Sequence, residues 1–238
     1  MKDIFLSKIG DMISEVVNMD CMAFMAQFPD KFFDLAVVDP PYGINMDGGT
    51  IGMSNKGKCT EYTKKDWDKS APEIAYFQEL RRVSKNQIIF GANHFISRNP
   101  IDSPCWIVWD KENGNNPFAD CELAWTSFDK AVRKFTFRWA GMLQGNMKHK
   151  EERIHPTQKP RALYAWIFEN FSRGGEKILD THLGSGSSRI AAYHAGLDFW
   201  GCELDKEYFD KANERFEKEI HGVEVVGNTV VTQNLLFE

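Results

Sequence analysis

Two short segments of the sequence place a carboxylate and backbone-bending residues directly after an apolar run, where a strand end would present them. The first is Asp39-Pro40-Pro41-Tyr42, following Leu35-Ala36-Val37-Val38. Proline donates no hydrogen bond and fixes φ, so a strand cannot run on through this pair and must end in a stiff turn. The turn sets out the Asp39 carboxylate and the Pro40 carbonyl as acceptors, with the Tyr42 ring beside them. Two acceptors facing one amino group hold both N–H bonds and aim the nitrogen lone pair at an electrophile, while the ring holds a base by stacking. An ordinary strand-ending turn with a surface Asp is the competing reading. The combination favours chemistry and makes Asp39, Pro40, Pro41 and Tyr42 the catalytic candidates.

The second segment is Ile178-Leu179-Asp180-Thr181-His182-Leu183-Gly184-Ser185-Gly186-Ser187-Ser188, a strand entering a glycine loop and then a helix. Gly184 and Gly186 permit positive φ and close backbone approach, and a helix start offers unpaired N–H groups. Arg189 stands where a dinucleotide fingerprint needs its third glycine. The next apolar run, Phe199 to Cys202, ends in Glu203, about 20 residues beyond the glycines, where an acid binds ribose hydroxyls. The pattern suits a nucleoside cofactor without a phosphate to cradle.

Elements that position these segments follow from the hydropathy pattern. Short apolar runs predict strands over Asp34–Val38, Gln87–Phe90, Trp106–Trp109, Leu123–Ser127, Lys177–Asp180 and Phe199–Cys202. Amphipathic stretches predict helices over Cys21–Phe28, Pro72–Ser84, Pro160–Ser172, Ser187–Ala195 and Lys206–Ile220, the fourth closed by Gly196. Strands alternating with helices predict an α/β fold with a mostly parallel, doubly wound, Rossmann-like sheet in a single domain. Residues 1–222 form that domain, and 223–238 add a strand, hairpin or tail. Residues 43–70 lack a period and read as a mobile loop, and ligands bind where the strand winding reverses.

Composition sets outer bounds. The chain has 238 residues, 42% of them hydrophobic, enough for a sizeable core. It lacks an apolar run of roughly 18 residues, so no membrane span or signal peptide is expected, and the location is expected to be cytoplasmic. Five scattered cysteines form no Cys-x-x-Cys pair, so neither a zinc site nor a disulfide framework is expected, and the metal expectation is none. A net charge of -5 argues mildly against nucleic acid, but phosphate contacts need only a local basic face. Such patches occur at Lys56–Lys69, at Lys130 to Arg138 and at Lys148 to Arg153.

The motifs together resemble the DNA amino-methyltransferases, in the permuted β-class order where the catalytic motif precedes the cofactor motif. Asp39-Pro40-Pro41-Tyr42 matches the family's catalytic tetrapeptide, and His155-Pro156-Thr157-Gln158-Lys159-Pro160 matches the box before its cofactor loop. Asp180 to Ser188 resembles that loop, Glu203 matches the ribose-binding acid, Asp20 sits where the family has an acid near the adenine ring, and Tyr208 to Arg215 resembles the following helix. The resemblance spans Val16 to Phe216. It implies S-adenosyl-L-methionine as cofactor, with Asp20, Lys159, Asp180, His182, Gly184, Ser185, Gly186, Ser187, Glu203 and Leu204 around it. It also implies site-specific methylation of the N6 amine of adenine in duplex DNA by base flipping, a modification of the restriction-modification type. Asp at the first catalytic position leans toward adenine, and cytosine N4 is the alternative.

The chain departs from the family where Thr181 and His182 replace the usual Pro-Phe. The short stretch before His155 also leaves little room for a target-recognition insert. Base readout is therefore expected from residues 129–154, with Arg133, Phe135, Phe137, Arg138, Trp139, Lys148 and Lys150, or from the 43–70 loop, or from a second subunit. The DNA-binding candidates are Lys56, Lys58, Lys64, Lys65, Arg133, Lys134, Arg138, Lys148 and Lys150. Expected partners are duplex DNA, a second copy of the chain, and a bacterial sliding clamp docked on Gln233-Asn234-Leu235-Leu236-Phe237, unless that terminus packs on its own domain. Two rivals remain: a Rossmann oxidoreductase, which leaves the catalytic tetrapeptide unexplained, and a catalytically silent DNA- or clamp-binding protein whose cofactor pocket His182 has spoiled.

Overall fold

The computed structural model of the chain describes residues 4–9, 12–46, 48–51, 60–62, 64–114, 118–140, 143–226 and 229–232. In chain order the first half holds β1 (Ile4–Ile9), β2 (Met12–Asn18), α1 (Cys21–Met25), β3 (Phe33–Val38), β4 (Gly49–Ile51), β5 (Thr60–Tyr62), α2 (Ile74–Val83), β6 (Ser84–Phe90) and β7 (Trp106–Asp110). Then come β8 (Cys121–Thr126), β9 (Arg133–Thr136), β10 (Trp139–Ala140), β11 (Leu143–Gln144), α3 (Arg161–Phe171), β12 (Lys177–Asp180), α4 (Ser187–His194), β13 (Asp198–Glu203), α5 (Lys206–His221), β14 (Val223–Val226) and β15 (Thr229–Thr232).

Nine strands form one sheet in the order β1-β2-β13-β12-β3-β6-β8-β7-β9. The pairs from β2 through β6 are parallel, whereas β1 and β8 run against their neighbours. The expected mostly parallel, doubly wound sheet is thus present. Its apolar runs are buried on both faces, as strands covered by helices on both sides require. Leu35 and Val37 of β3 pack toward α3, α4 and α5, among Leu163, Ile167, Ala191 and Phe209. Ala36 and Val38 point the other way, toward Phe24 and Met25 of α1 and Tyr76, Phe77 and Leu80 of α2. The period-2 alternation of one strand divides the core into two layers.

β3 and β12 lie side by side, with Ile178 opposite Leu35 and Leu179 opposite Ala36. From β3 the chain winds to β6 on one side, and from β12 it winds to β13 on the other. The reversal falls between them, so the two chemical segments meet at one crevice.

Local signals account for most helix ends. Asp205 caps α5 by accepting from the N–H groups of Glu207 and Tyr208, and Gly222 closes it in a left-handed conformation. Gly196 takes φ +68 after α4, as expected. The first helix stops at Met25, earlier than predicted, because Pro29 disfavours helical backbone at Phe28 and the intervening residues form turns.

Three sheet strands exceed the sequence prediction. The β1–β2 hairpin adds an edge through β2 against β13, and β9 pairs in parallel with β7 at the far edge. Within the 43–70 segment, β4 and β5 pair antiparallel, so part of the expected loop is a hairpin. β14 and β15 form a C-terminal hairpin. Lys56, Lys58 and the clamp-like Gln233–Phe237 lie outside the described residues. Among the described residues no helix is long and apolar enough to cross a membrane.

Candidate active site

Asp39 emerges at the carboxyl edge of the sheet directly after buried Val38, with its side chain 18% exposed. The Tyr42 hydroxyl donates to its Oδ1 at 2.7 Å, and the Lys159 ammonium donates to Oδ2 at 2.5 Å. Burial lifts the Asp39 carboxyl above its ordinary value, and Lys159 works against that lift. Burial, then Asp39, pushes the Tyr42 phenol well up, so it stays protonated as a donor.

Two residues that the sequence reading missed shape the Tyr42 ring. The His94 imidazole stacks on it with centroids 5.0 Å apart and planes 15° from parallel. Gly91, at φ +64, lies so close beneath the ring that a Cβ there would sit 2.1 Å from a ring carbon. Gly91-Ala92-Asn93-His94 directly follows the apolar end of β6, the same strand-then-turn signal that marked Asp39.

The far end of the 43–70 segment is anchored. The carboxylate of buried Asp68 accepts the N–H groups of Gly43 (2.8 Å) and Met46 (2.7 Å), which fixes the turn after Tyr42. Lys65, expected on DNA, instead bonds Asp205 (2.7 and 2.8 Å) and Glu207 (2.9 Å) at the start of α5. Two carboxylates there outweigh its desolvation and hold the ammonium above its ordinary value. The Trp67 ring meets His155 at 5.2 Å, and His155 meets Tyr208 at 4.3 Å. Burial brings this imidazole down to about 3 and keeps it neutral.

The glycine loop follows β12. Asp180 is buried; its Oδ2 accepts from the Ser188 hydroxyl at 2.5 Å and its Oδ1 from the His182 N–H at 3.0 Å. Burial outweighs those donors and raises its pKa to about 7. Gly184 and Gly186 take φ +52 and +72, as a loop opening into a helix start requires. Ser185 and Ser187, expected on the cofactor, turn their hydroxyls to each other at 3.1 Å, and Ser187 also accepts from Arg215 at 2.9 Å. Arg189, in place of a third glycine, is buried against the Phe216 ring (3.8 Å) and bonds Ser14 and Asn213. Its role is to tie α4 to β2 and α5.

His182 has a local framework. Its Nδ1 lies 2.9 Å from the Thr181 hydroxyl, which itself lies 2.6 Å from the Tyr76 hydroxyl. Its ring meets Tyr76 edge-on at 5.4 Å, and burial brings its pKa down to about 4. A neutral, flat ring is what a packing substitute for Phe supplies.

Glu203 ends β13, its Oε2 accepting the Gly184 N–H and its Oε1 the Asp205 N–H, both at 2.9 Å, with burial lifting its carboxyl. Asp20 caps α1 at the end of neighbouring β2, where Asn18 stands opposite Glu203. Leu204 beside them is 68% exposed. Acids, a left-handed glycine turn and an open apolar side chain suit a nucleoside with vicinal hydroxyls and a cationic group. Lys159, expected here, donates to Asp39 and to the Tyr42 hydroxyl and forms an ion pair with Glu122 at 3.0 Å.

Lys64, Arg133, Lys134, Arg138, Lys148 and Lys150 are exposed, and Lys134 pairs with Asp110 at 2.7 Å. The aromatic residues of that stretch are not. Phe135 and Phe137 stack on each other and pack toward Trp166 and the core, while buried Trp139 donates to the Gln158 carbonyl at 2.7 Å. Phe135 and Phe137 are thus half-buried against the core, and Trp139 lies within it.

A DNA methylase family model matches residues 106–214. The chain is similar to the Type II methyltransferase M.HinfI of Haemophilus influenzae, 23% identical over 254 residues, covering 88% of this chain and 70% of the relative. The fold matches the crystal structure of the M1.HpyAVI-SAM complex with a TM-score of 0.51 and 22% identity, over 84% of this chain and 98% of that one. It also matches the PvuII DNA methyltransferase (cytosine-N4-specific) with a TM-score of 0.55 and 10% identity, over 91% of this chain and 88% of that one.

Proposed function

We propose that this chain, which matches a DNA methylase family model over residues 106–214, is a DNA methyltransferase that transfers the methyl group of S-adenosylmethionine to the N6 amine of adenine in duplex DNA. The observation that carries the reading is the placement of Asp39 and Pro40 at the end of β3, beside the glycine loop at the end of adjacent β12. S-adenosylmethionine supplies an electrophilic methyl on a sulfonium, and the donor set of Asp20, Asp180, His182, Gly184, Gly186, Glu203 and Leu204 suits it. Glu203 would take the ribose hydroxyls, Asp20 and Leu204 the adenine edge and face, and the glycine loop the remainder.

A base inside the duplex must leave the stack before its amine is reached. The stacked Tyr42 and His94 rings offer it an aromatic surface, and Asp39 and the Pro40 carbonyl accept its two N–H bonds. The nitrogen lone pair is thereby aimed in line at the methyl carbon. S-adenosylmethionine would give up its methyl to that nitrogen and leave as S-adenosylhomocysteine, and Asp39 or water would take the proton that the alkylated nitrogen sheds. No base is needed before attack, because the N–H becomes acidic only on alkylation. Orientation and fixed acceptors lower the barrier. Exposed Arg133, Arg138, Lys148 and Lys150 supply phosphate contacts, and the short segment around them implies short or relaxed sequence specificity.

The test is incubation with S-adenosylmethionine and unmethylated duplex DNA, with methylated nucleosides quantified by mass spectrometry beside an Asp39→Ala control. N6-methyladenine that disappears in the control is the expected result. N4-methylcytosine instead would keep the mechanism and move the substrate. No methylated base, with cofactor bound, would overturn the reading.

A further inference from the structure

Three charged side chains run in a line behind Asp39. Lys159 Nζ lies 2.5 Å from Asp39 Oδ2, 3.0 Å from Glu122 Oε2 and 3.2 Å from the Tyr42 hydroxyl. Lys111, just after β7, pairs with the other oxygen of Glu122. An ammonium has three N–H donors, and Lys159 has three acceptors around it while only 3% exposed. The order Lys111, Glu122, Lys159, Asp39 alternates in sign and sums to zero, the condition under which buried charges persist.

The line draws on four separate parts of the chain: β3, β7, β8 and the segment before α3. We propose that Lys159 and Glu122 are a positioning pair that keeps the Asp39 carboxylate charged and aimed at the incoming amine. The proposal rests on reading Asp39 as the amine acceptor. Lys159 pins Oδ2 while Tyr42 pins Oδ1, so the carboxylate cannot rotate away, and Glu122 keeps the ammonium from following Asp39 outward. The remaining titratable groups facing Asp39 are Tyr164 of α3 and Asp180 of β12. Burial pushes Glu122 up, but Lys159 and Lys111 outweigh it and hold its carboxyl at about 2. Without Lys159, Asp39 and Glu122 would face each other as two buried anions, and one would take up a proton near neutral pH. A protonated Asp39 is a poorer acceptor for the amine.

The experiment compares wild type, Lys159→Met and the double variant Lys159→Met/Glu122→Gln, which returns the line to neutrality. For the single variant we expect kcat at pH 7.5 to fall by about 100-fold and the acid limb of the kcat profile to move to higher pH. Affinity for S-adenosylhomocysteine, measured by calorimetry, should change less than about threefold. The double variant should bring the acid limb back toward its wild-type position. An unmoved acid limb in the single variant, or no return in the double, would overturn the proposal. So would a cofactor affinity lowered tenfold or more with kcat retained, which would put Lys159 on the cofactor. Melting curves provide a readout that needs no methyl transfer. The single variant should lose more stability at pH 8 than at pH 5, and Glu122→Gln should remove that difference. Equal losses at both pH values would also overturn the pairing. An inactive wild type with the expected melting behaviour would overturn the transferase reading and leave the pair standing.

Discussion

The two halves of the sheet's carboxyl edge follow opposite electrostatic plans. At the end of β3, each charge in the line from Asp39 to Lys111 meets one of opposite sign. At the ends of β12 and β13, Asp180 and Glu203 are held by a hydroxyl and backbone N–H groups, and burial lifts both carboxyls. The histidines there, His155 and His182, are kept neutral by the same burial. A neutral half suits a neutral amine, and a half whose acids lack full ion pairing suits a cation. The methyl donor is a sulfonium, and its charge moves to nitrogen during transfer. The asymmetry across the crevice therefore suits the two reactants before transfer, and the charge that arrives at nitrogen is met by the Asp39 carboxylate alone.

The largest expected effect comes from disturbing the neutral half without touching a charge. Gly91→Ala puts a methyl group where Tyr42 already is, and alanine resists φ +64. The ring must move, and a misplacement of about 1 Å costs on the order of 100-fold in kcat/KM. Affinity for S-adenosylhomocysteine should stay within about twofold by calorimetry; a matching loss there would mean that the halves are not separate. The converse variant is Glu203→Gln on the acid half. Losing a charge-assisted bond of roughly 1.5–2 kcal/mol should weaken cofactor binding by about 10- to 30-fold. Saturating cofactor should restore kcat, and failure to restore it would place Glu203 in the transfer step itself.

Signals of different range explain why only part of this contrast was legible in the sequence. Asp39 before two prolines and Asp180 before a glycine loop are local patterns after unbroken apolar strands, so both strand ends and their meeting across β3 and β12 could be read. The edges were harder. β2 carries Ser14 and Glu15 among its apolar residues, and β9 reads as a basic surface run because Arg133 and Lys134 are both exposed. Lys159 resembled a cofactor residue by its motif, while its partner Glu122 comes from a distant strand. Asp68 is one of two acids, with Asp66, in the lysine-rich run 64–69, and its bonds to Gly43 and Met46 exist only once the segment folds back. Gly91 and His94 did carry a readable signal, a turn directly after an apolar strand.

Stability against pH offers a sharper probe of the acid half. The folded carboxyl of Asp180 is raised from 3.8 to about 7, so the folded chain binds more protons than the unfolded one between those values. Its contribution therefore falls as pH rises through that window and is least favourable above it. Ser188 donates to the ionised form. Ser188→Ala should cost about 1–3 kcal/mol at pH 8 and less at pH 5, where Asp180 is protonated. Denaturant melts at the two values measure this. An equal cost at both would show that Asp180 stays ionised and that burial there is overcome by other means.

The smallest effect separates two lysine classes that look alike in sequence. Lys65 is spent on Asp205 and Glu207, whereas Lys148 and Lys150 are exposed. Each phosphate contact adds about 0.9 to the slope of log K against log salt. Lys148→Ala/Lys150→Ala should thus flatten the slope for duplex binding by up to about 2, with affinity falling similarly on unrelated sequences. Lys65→Ala should leave the slope unchanged and cost about 1 kcal/mol of stability or less, because its pairs are partly screened by solvent. A flattened slope in Lys65→Ala would mean that this lysine leaves Asp205 when DNA binds. The 64–68 segment would then belong to the DNA side of the crevice, and the two halves would be coupled through it.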